Sequence, residues 1–123
     1  MKEEQEELAK KLESLYQKGG LTPPTLKEAG AAVRAEGTRL QEIIKLLTSQ
    51  GRLVKVKEDL FFHSSIIAML KDKLVDFLKQ HQEISVPQFK DLSQTSRKFA
   101  IPLMEYFDAS RVTVRVGENR RLR

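Results

Sequence analysis

The chain contains no cysteine and no tryptophan. The first absence excludes a disulfide framework and cysteine ligation of zinc. Its six glycines include neither the Gly-x-x-x-x-Gly-Lys-Ser/Thr spacing nor Gly-x-Gly-x-x-Gly, so no nucleotide-phosphate loop is expected. The two histidines, His63 and His81, stand far apart without a matching ligand pair and read as surface or boundary residues. Serines are plentiful, but none has a recognisable base and orienting partner, and Glu58-Asp59 reads as a turn more readily than as a catalytic pair. No apolar run approaches the ~20 residues of a membrane span, and no secretory leader is read at the start. These absences set the expectations: no enzyme, no metal, no cofactor, no membrane partner, and a cytoplasmic location.

What is present is charge, unevenly placed. Of 123 residues 40% are hydrophobic, enough for compact cores, and the formal net charge is +5. Residues 1–63 hold 11 Lys/Arg against 10 Asp/Glu, or +1, whereas residues 64–123 hold 11 against 7, or +4. From Lys90 onward the count is 8 basic to 4 acidic. An excess gathered in one half is the footprint of a polyanion partner, although a merely solvated basic surface would have the same composition. The length permits one domain or two of about sixty residues.

Hydrophobic periodicity finds one order of elements twice. Glu3 to Lys18 is an amphipathic helix with Leu8, Leu12 and Leu15 on its stripe, stopped by Gly19-Gly20. Pro23-Pro24 is placed to open a short helix over residues 25–34. Gly37-Thr38 precedes a helix carrying Leu40, Ile43, Ile44 and Leu47, and Gly51 ends it. Leu53 to Lys57 and Leu60 to His63 form a hairpin around Glu58-Asp59.

The second round begins near Ser65, with Ile66, Ile67, Leu70, Leu74, Phe77 and Leu78 on a helix ending near Gln80. Ile84-Ser85 is one extended step, and Val86-Pro87 opens a short helix through Leu92. The polar turn Ser93 to Ser96 leads to a third helix, Arg97 to Ala109, with Phe99, Ala100, Leu103, Met104 and Phe107 on its core side and a kink expected at Pro102. Val112 to Val116 and Arg120 to Arg123 close a hairpin with a Gly-Glu-Asn tip. Setting Gln50 to Val54 on Ala109 to Thr113 gives a repeat offset of 59 residues.

Three helices followed by a hairpin is the order of a winged helix. The expected fold is therefore mostly α with small β-hairpins, in two tandem winged-helix domains over residues 1–63 and 64–123. A helix N-terminus offers unpaired N–H groups and a partial positive charge. With Arg97 and Lys98 beside it, the turn before the last helix is a ready phosphate site. In the first copy Arg39 and Lys45 stand among Glu36 and Glu42, so that helix reads as spacer and scaffold.

The run Thr95-Ser-Arg-Lys-Phe-Ala-Ile-Pro-Leu-Met-Glu-Tyr-Phe-Asp108, followed by Val112-Thr-Val-Arg-Val-Gly117, resembles the extreme C-terminus of bacterial selenocysteine-specific elongation factors. Val86-Pro-Gln-Phe-Lys-Asp-Leu92 is similar to the preceding helix of that terminal domain. Residues 86–123 carry the strong match; residues 1–85 fit through architecture and order. The resemblance implies the third and fourth winged helices of such a factor, excised from it at Met1, without its GTPase region or transfer-RNA site. It implies further that the last domain binds the messenger RNA stem-loop, the selenocysteine insertion element, which recodes UGA. The ribosome would be met through the parent factor, and the fragment itself would be a monomer.

On that reading Arg97, Lys98 and the backbone amides of Thr95 and Ser96 would hold phosphates, with the Ser96 hydroxyl assisting. Lys90 would clamp the opposite strand, and Gln94, both donor and acceptor, would touch an exposed base. Arg115 and Arg120 are the wing candidates, in a hairpin that also carries Arg121 and Arg123. Two other readings stay open. A duplex-DNA regulator would put Arg97 and Lys98 in a major groove, but no dimerisation helix is visible. A protein-interaction module would suit the near-neutral first copy.

Overall fold

The computed structural model describes residues 2–123, with elements in the order α1 (Lys2–Gly19), α2 (Leu26–Val33), α3 (Gly37–Ser49), β1 (Leu53–Lys57), β2 (Leu60–His63), α4 (Ser64–His81), β3 (Glu83–Ile84), α5 (Val86–Ser93), α6 (Arg97–Ala109), β4 (Thr113–Val116) and β5 (Asn119–Leu122). The chain divides into two compact units, Met1–Ile66 and Ile67–Arg123, so the division falls in the first turn of α4. Each unit is a winged helix.

In the first unit, Ala9, Leu12 and Tyr16 form the buried stripe of α1, with Leu8 and Leu15 only flanking it. The stripe expected on Leu8, Leu12 and Leu15 is thus rotated, because the small Ala9 and the long Tyr16 ring fill the space facing α3. Thr25, not a proline, starts α2. Its Oγ1 accepts from the Glu28 N–H at 3.1 Å while its own N–H donates to Glu28 Oε1 at 2.8 Å, a reciprocal capping box. Leu40, Ile43, Ile44 and Leu47 bury one face of α3, as their spacing requires. Gly30 lies where α2 meets the turn before α3: a Cβ there would come within 2.6 Å of the Ala35 carbonyl oxygen.

Tyr16 is buried to 1% exposure, and its hydroxyl bonds to no described residue. Burial pushes its pKa up to about 12 from 10.0. An unpaired buried hydroxyl costs about 1–3 kcal/mol, so Tyr16→Phe should stabilise the chain by about 1 kcal/mol. The unfolded tyrosine ionises near 10 and the folded one near 12. The native form therefore loses stability as pH rises through that window, because only the unfolded state releases the proton there. Urea unfolding at pH 8 and pH 11 should show the advantage of Tyr16→Phe widening with pH; a variant less stable than the parent at both would refute the assignment.

β1 and β2 pair antiparallel, with Leu53 opposite His63 and Val54 opposite Phe62. His63, read as a surface or boundary residue, is buried at 6% exposure. The Ser65 N–H can only donate, so its 3.1 Å bond makes His63 Nδ1 the acceptor. Nε2–H then donates to Glu13 on α1 at 2.9 Å. His81 is exposed and stacks on Phe77 with ring centroids 4.5 Å apart.

In the second unit, Ile67, Leu70, Leu74 and Leu78 are the buried residues of α4. The capping box recurs at α5, with Ser85 and Gln88 in the roles of Thr25 and Glu28. Phe89 is fully buried beneath this eight-residue helix. α6 runs without a break through Pro102, which is itself buried and cannot donate to the Lys98 carbonyl. The sheet order is β3-β5-β4, with Glu83 opposite Arg121 and Val114 opposite Arg121 from the other side.

The two units superpose in sequence at 60 residues, not 59. Thr25 and Ser85 are the caps, Leu26–Val33 and Val86–Ser93 the short helices, and Gly37–Ser49 and Arg97–Ala109 the third helices. The shift by one arises because the motif aligned at the helix end has few identities, whereas caps and hydrogen bonds fix the register. Gly51 and Arg111 are both left-handed, with φ of 74° and 65°. At this offset Pro23-Pro24 fall on Glu83-Ile84. Proline has no N–H to give a ladder, so the first unit has two strands where the second has three.

Candidate nucleic-acid interface

The turn between α5 and α6 is shorter than its polar composition suggested. Ser93 belongs to α5, buried, with its hydroxyl donating to the Phe89 carbonyl at 2.8 Å. Gln94 then adopts a left-handed conformation, φ 54°, and its N–H closes on the Lys90 carbonyl. This reversal leaves the Gln94 and Lys90 side chains exposed. Thr95, whose backbone amide is the group expected to hold a phosphate, is buried and already has a partner.

Ser96 is the N-cap of α6, in extended geometry with φ −78° and ψ 162°. Its carbonyl accepts from Phe99 and Ala100, while its side chain makes no capping bond. Arg97 and Lys98 follow in the exposed first turn, which contains no acidic residue. The positive end of the helix dipole therefore stays uncompensated beside two cations. Among the described residues, Lys90, Arg97 and Lys98 join no ion pair. A helix start with two exposed cations, first-turn amides and a cap hydroxyl that makes no capping bond suits a phosphate.

Phe99 departs from its expected core position. It is only half-buried, because the first turn of α6 extends past the hydrophobic interior, and Lys98 Nζ sits 5.2 Å from its ring centroid. Periodicity could not show this, since it assigns a face but not where the core stops.

The wing corrects a second expectation. Arg120 is 5% exposed, not a surface residue. Its Nε donates to Asp108 Oδ2 at 3.0 Å and its other guanidinium nitrogen to the Glu118 carbonyl at 3.2 Å. Thr113 Oγ1 donates to the other oxygen of Asp108 at 2.6 Å. Arg120 thus ties the hairpin to the last turn of α6 and is withdrawn from ligands. Arg115 is exposed but folded onto its own tip, donating to the Gly117 carbonyl at 2.8 Å and standing 3.6 Å from Glu118. Asn119, read as part of the tip, is a strand residue that donates to Glu83 at 2.8 Å.

The first unit does not repeat this chemistry. At the same positions it has Gly30 for Lys90, Arg34 for Gln94, Glu36 for Ser96 and Gly37-Thr38 for Arg97-Lys98. A carboxylate at the cap would repel a phosphate there, and Arg39 lies 3.7 Å from Glu4. Among the described residues no cluster of ligating side chains could hold a metal, and no helix is long and apolar enough to cross a membrane.

Residues 76–122 match the family described as elongation factor SelB, winged helix. A selenocysteine-specific elongation factor of Desulfomicrobium baculatum is 31% identical over 112 residues, which span 91% of this chain and 18% of that protein. Among solved structures, the mRNA-binding domain of SelB from E. coli, in complex with SECIS RNA, superposes with a TM-score of 0.86 at 23% identity, covering 100% of this chain and 99% of the other. A bacterial selenocysteine-specific elongation factor, EF-Sec, gives 0.78 at 26% identity, with the whole of this chain lying on 20% of it. The chain thus spans about a fifth of the full-length relatives it matches. Family model, relative and fold agree in making this chain similar to the winged-helix region of SelB.

Proposed function

We propose that this chain is the RNA-binding part of a selenocysteine-specific elongation factor, and that its second winged helix grips a messenger RNA stem-loop of the selenocysteine insertion type. One observation carries the reading: Arg97 and Lys98, which join no ion pair among the described residues, stand exposed in the first turn of a helix whose N-cap side chain makes no capping bond. The similar E. coli domain, found with SECIS RNA, supports it.

A-form RNA has a deep, narrow major groove that side chains cannot read, so α6 cannot work as a DNA recognition helix does. Phosphates of the upper stem instead position the domain on Arg97, Lys98, the first-turn amides and the Ser96 hydroxyl. Lys90 reaches the opposing strand. Gln94, held outward by its left-handed backbone, meets an unstacked base with a donor and an acceptor. Thr95 and Arg120 act from within, by keeping the turn and the wing in place. The first unit serves as spacer and scaffold. No residue here has a catalytic role; the GTPase, transfer-RNA and ribosome functions belong to the parent factor, which works in the cytoplasm.

Titrating the chain with an RNA stem-loop carrying a bulged base, beside a duplex DNA of equal length, tests the reading at ~50 and ~200 mM salt. Loop-dependent RNA binding should weaken steeply with salt, and Arg97→Ala/Lys98→Ala should reduce affinity by about a hundredfold or more at the lower salt, from two charge-assisted contacts of about 1.5–3 kcal/mol each. Equal or better binding to duplex DNA would transfer the site to a transcriptional regulator. Binding to neither nucleic acid would point to a protein partner.

A further inference from the structure

The wing holds a surface that the helix-turn-helix does not use. Val114 and Val116 are two of the four exposed large hydrophobic residues described in the chain. Strand register puts Val114 and Val116, 41% and 45% exposed, on the same sheet face as Arg121, since Arg121 lies opposite Val114. In the first unit the corresponding partner of Val54 is Phe62, which is fully buried. The second unit therefore replaces a buried aromatic with an exposed cation on this face.

Arg121 also lies directly opposite Glu83 on β3, the position where a cross-strand ion pair would form. That pair is absent among the described residues, and the Glu83 carboxylate accepts from Asn119 Nδ2 at 2.8 Å. Arg111 and Arg123 are likewise exposed and join no ion pair among the described residues. The face is held firmly: Arg120 and Thr113 bind the hairpin to Asp108 of α6.

We infer that the outer face of the β3-β5-β4 sheet is a second contact for the RNA strand, with Arg121 forking onto a phosphate and Val114 and Val116 packing against its sugar. The inference rests on the RNA reading above and moves the wing's role from Arg115 and Arg120 to Arg121. An unpaired guanidinium presents two parallel donors to a phosphate, and the valines offer a dry flank to a ribose. Its charge complements the polyanion.

The test is an anisotropy titration of the full chain with a labelled RNA stem-loop bearing a bulged base and a single-stranded tail, from ~50 to ~200 mM salt. Arg121→Ala should weaken binding about 3–5-fold and flatten the log-affinity against log-salt slope by about 1. Arg121→Lys should retain the slope, and Lys79→Ala on α4 should bind as the parent does. Unchanged melting curves would show that the fold survives. Parent-like affinity and slope for Arg121→Ala, with Arg97→Ala/Lys98→Ala still impaired, would overturn this inference and leave the RNA reading standing. An oligoglutamate peptide that binds only when Arg121 is present, while RNA affinity ignores it, would overturn it in favour of a protein ligand. Failure of the parent chain to bind RNA would remove both.

Discussion

Arg120→Ala should lower the unfolding free energy of the second unit by about 3–5 kcal/mol, the cost of stripping one partner from a buried ion pair. The side chains of Arg120 and Asp108 are 6% and 24% exposed, and their contact is 3.0 Å. Without the guanidinium, the Asp108 carboxylate is left with the Thr113 hydroxyl as its partner, and the Glu118 carbonyl loses its donor. The loss is a desolvation penalty, not the net strength of the bridge, so the control must remove both charges. Arg120→Met/Asp108→Asn should recover much of the stability, with a coupling of about 0.5–3 kcal/mol between the two positions. Urea unfolding followed by circular dichroism reads this directly, with two transitions expected if the units unfold separately. A loss under about 1 kcal/mol in Arg120→Ala would mean that water replaces the guanidinium and that the bridge does not anchor the wing.

Phe89→Ala should cost a comparable ~3–5 kcal/mol, the usual penalty for emptying the site of a buried phenyl ring. Phe89 is fully buried, and Ser93 is the only other buried residue of α5. An eight-residue helix has no stability of its own in water, so this ring and the Ser85–Gln88 capping box hold α5 in place. Releasing it also frees Lys90 and the left-handed Gln94, and RNA affinity should fall although no contact residue has changed. Phe89→Leu, which keeps most of the volume, should cost much less and keep binding. If Phe89→Ala destabilised the chain yet bound RNA with parental affinity at a temperature where it remains folded, the α5 side of the site would be dispensable.

These two effects mark the boundary of sequence reading well. Phe89 was recognisable as an apolar residue of a short helix, but nothing local distinguished it from half-buried Leu92 or Phe99. Arg120 was indistinguishable from its neighbour Arg121 in a basic run, and both read as exposed wing cations. Alternation along β5 does assign them to opposite faces, yet which face meets α6 depends on Asp108, twelve residues away and in another element. The repeat offset failed for a related reason: chain identity at the helix end is slight, whereas the caps at Thr25 and Ser85 mark the register only once their hydrogen bonds are seen.

What the sequence determined by itself was carried by short-range rules. Helical spacing of Leu40, Ile43, Ile44 and Leu47, the turn residues of the hairpins, and the three-helix-and-hairpin order repeated twice all depend on neighbours within a few positions. So did the placing of Arg97 and Lys98 at the start of α6, since a helix N-terminus is written in its own first turn. The tertiary structure alone decided which cations remain available. Arg120 is withdrawn by Asp108, whereas Arg121 joins no ion pair among the described residues and Glu83 accepts from Asn119. Each outcome follows from which carboxylate or carbonyl lies within about 3 Å after folding, the range over which a hydrogen bond forms. The Arg120–Asp108 and Asn119–Glu83 pairings join distant parts of the chain, and no periodicity in the sequence encodes them.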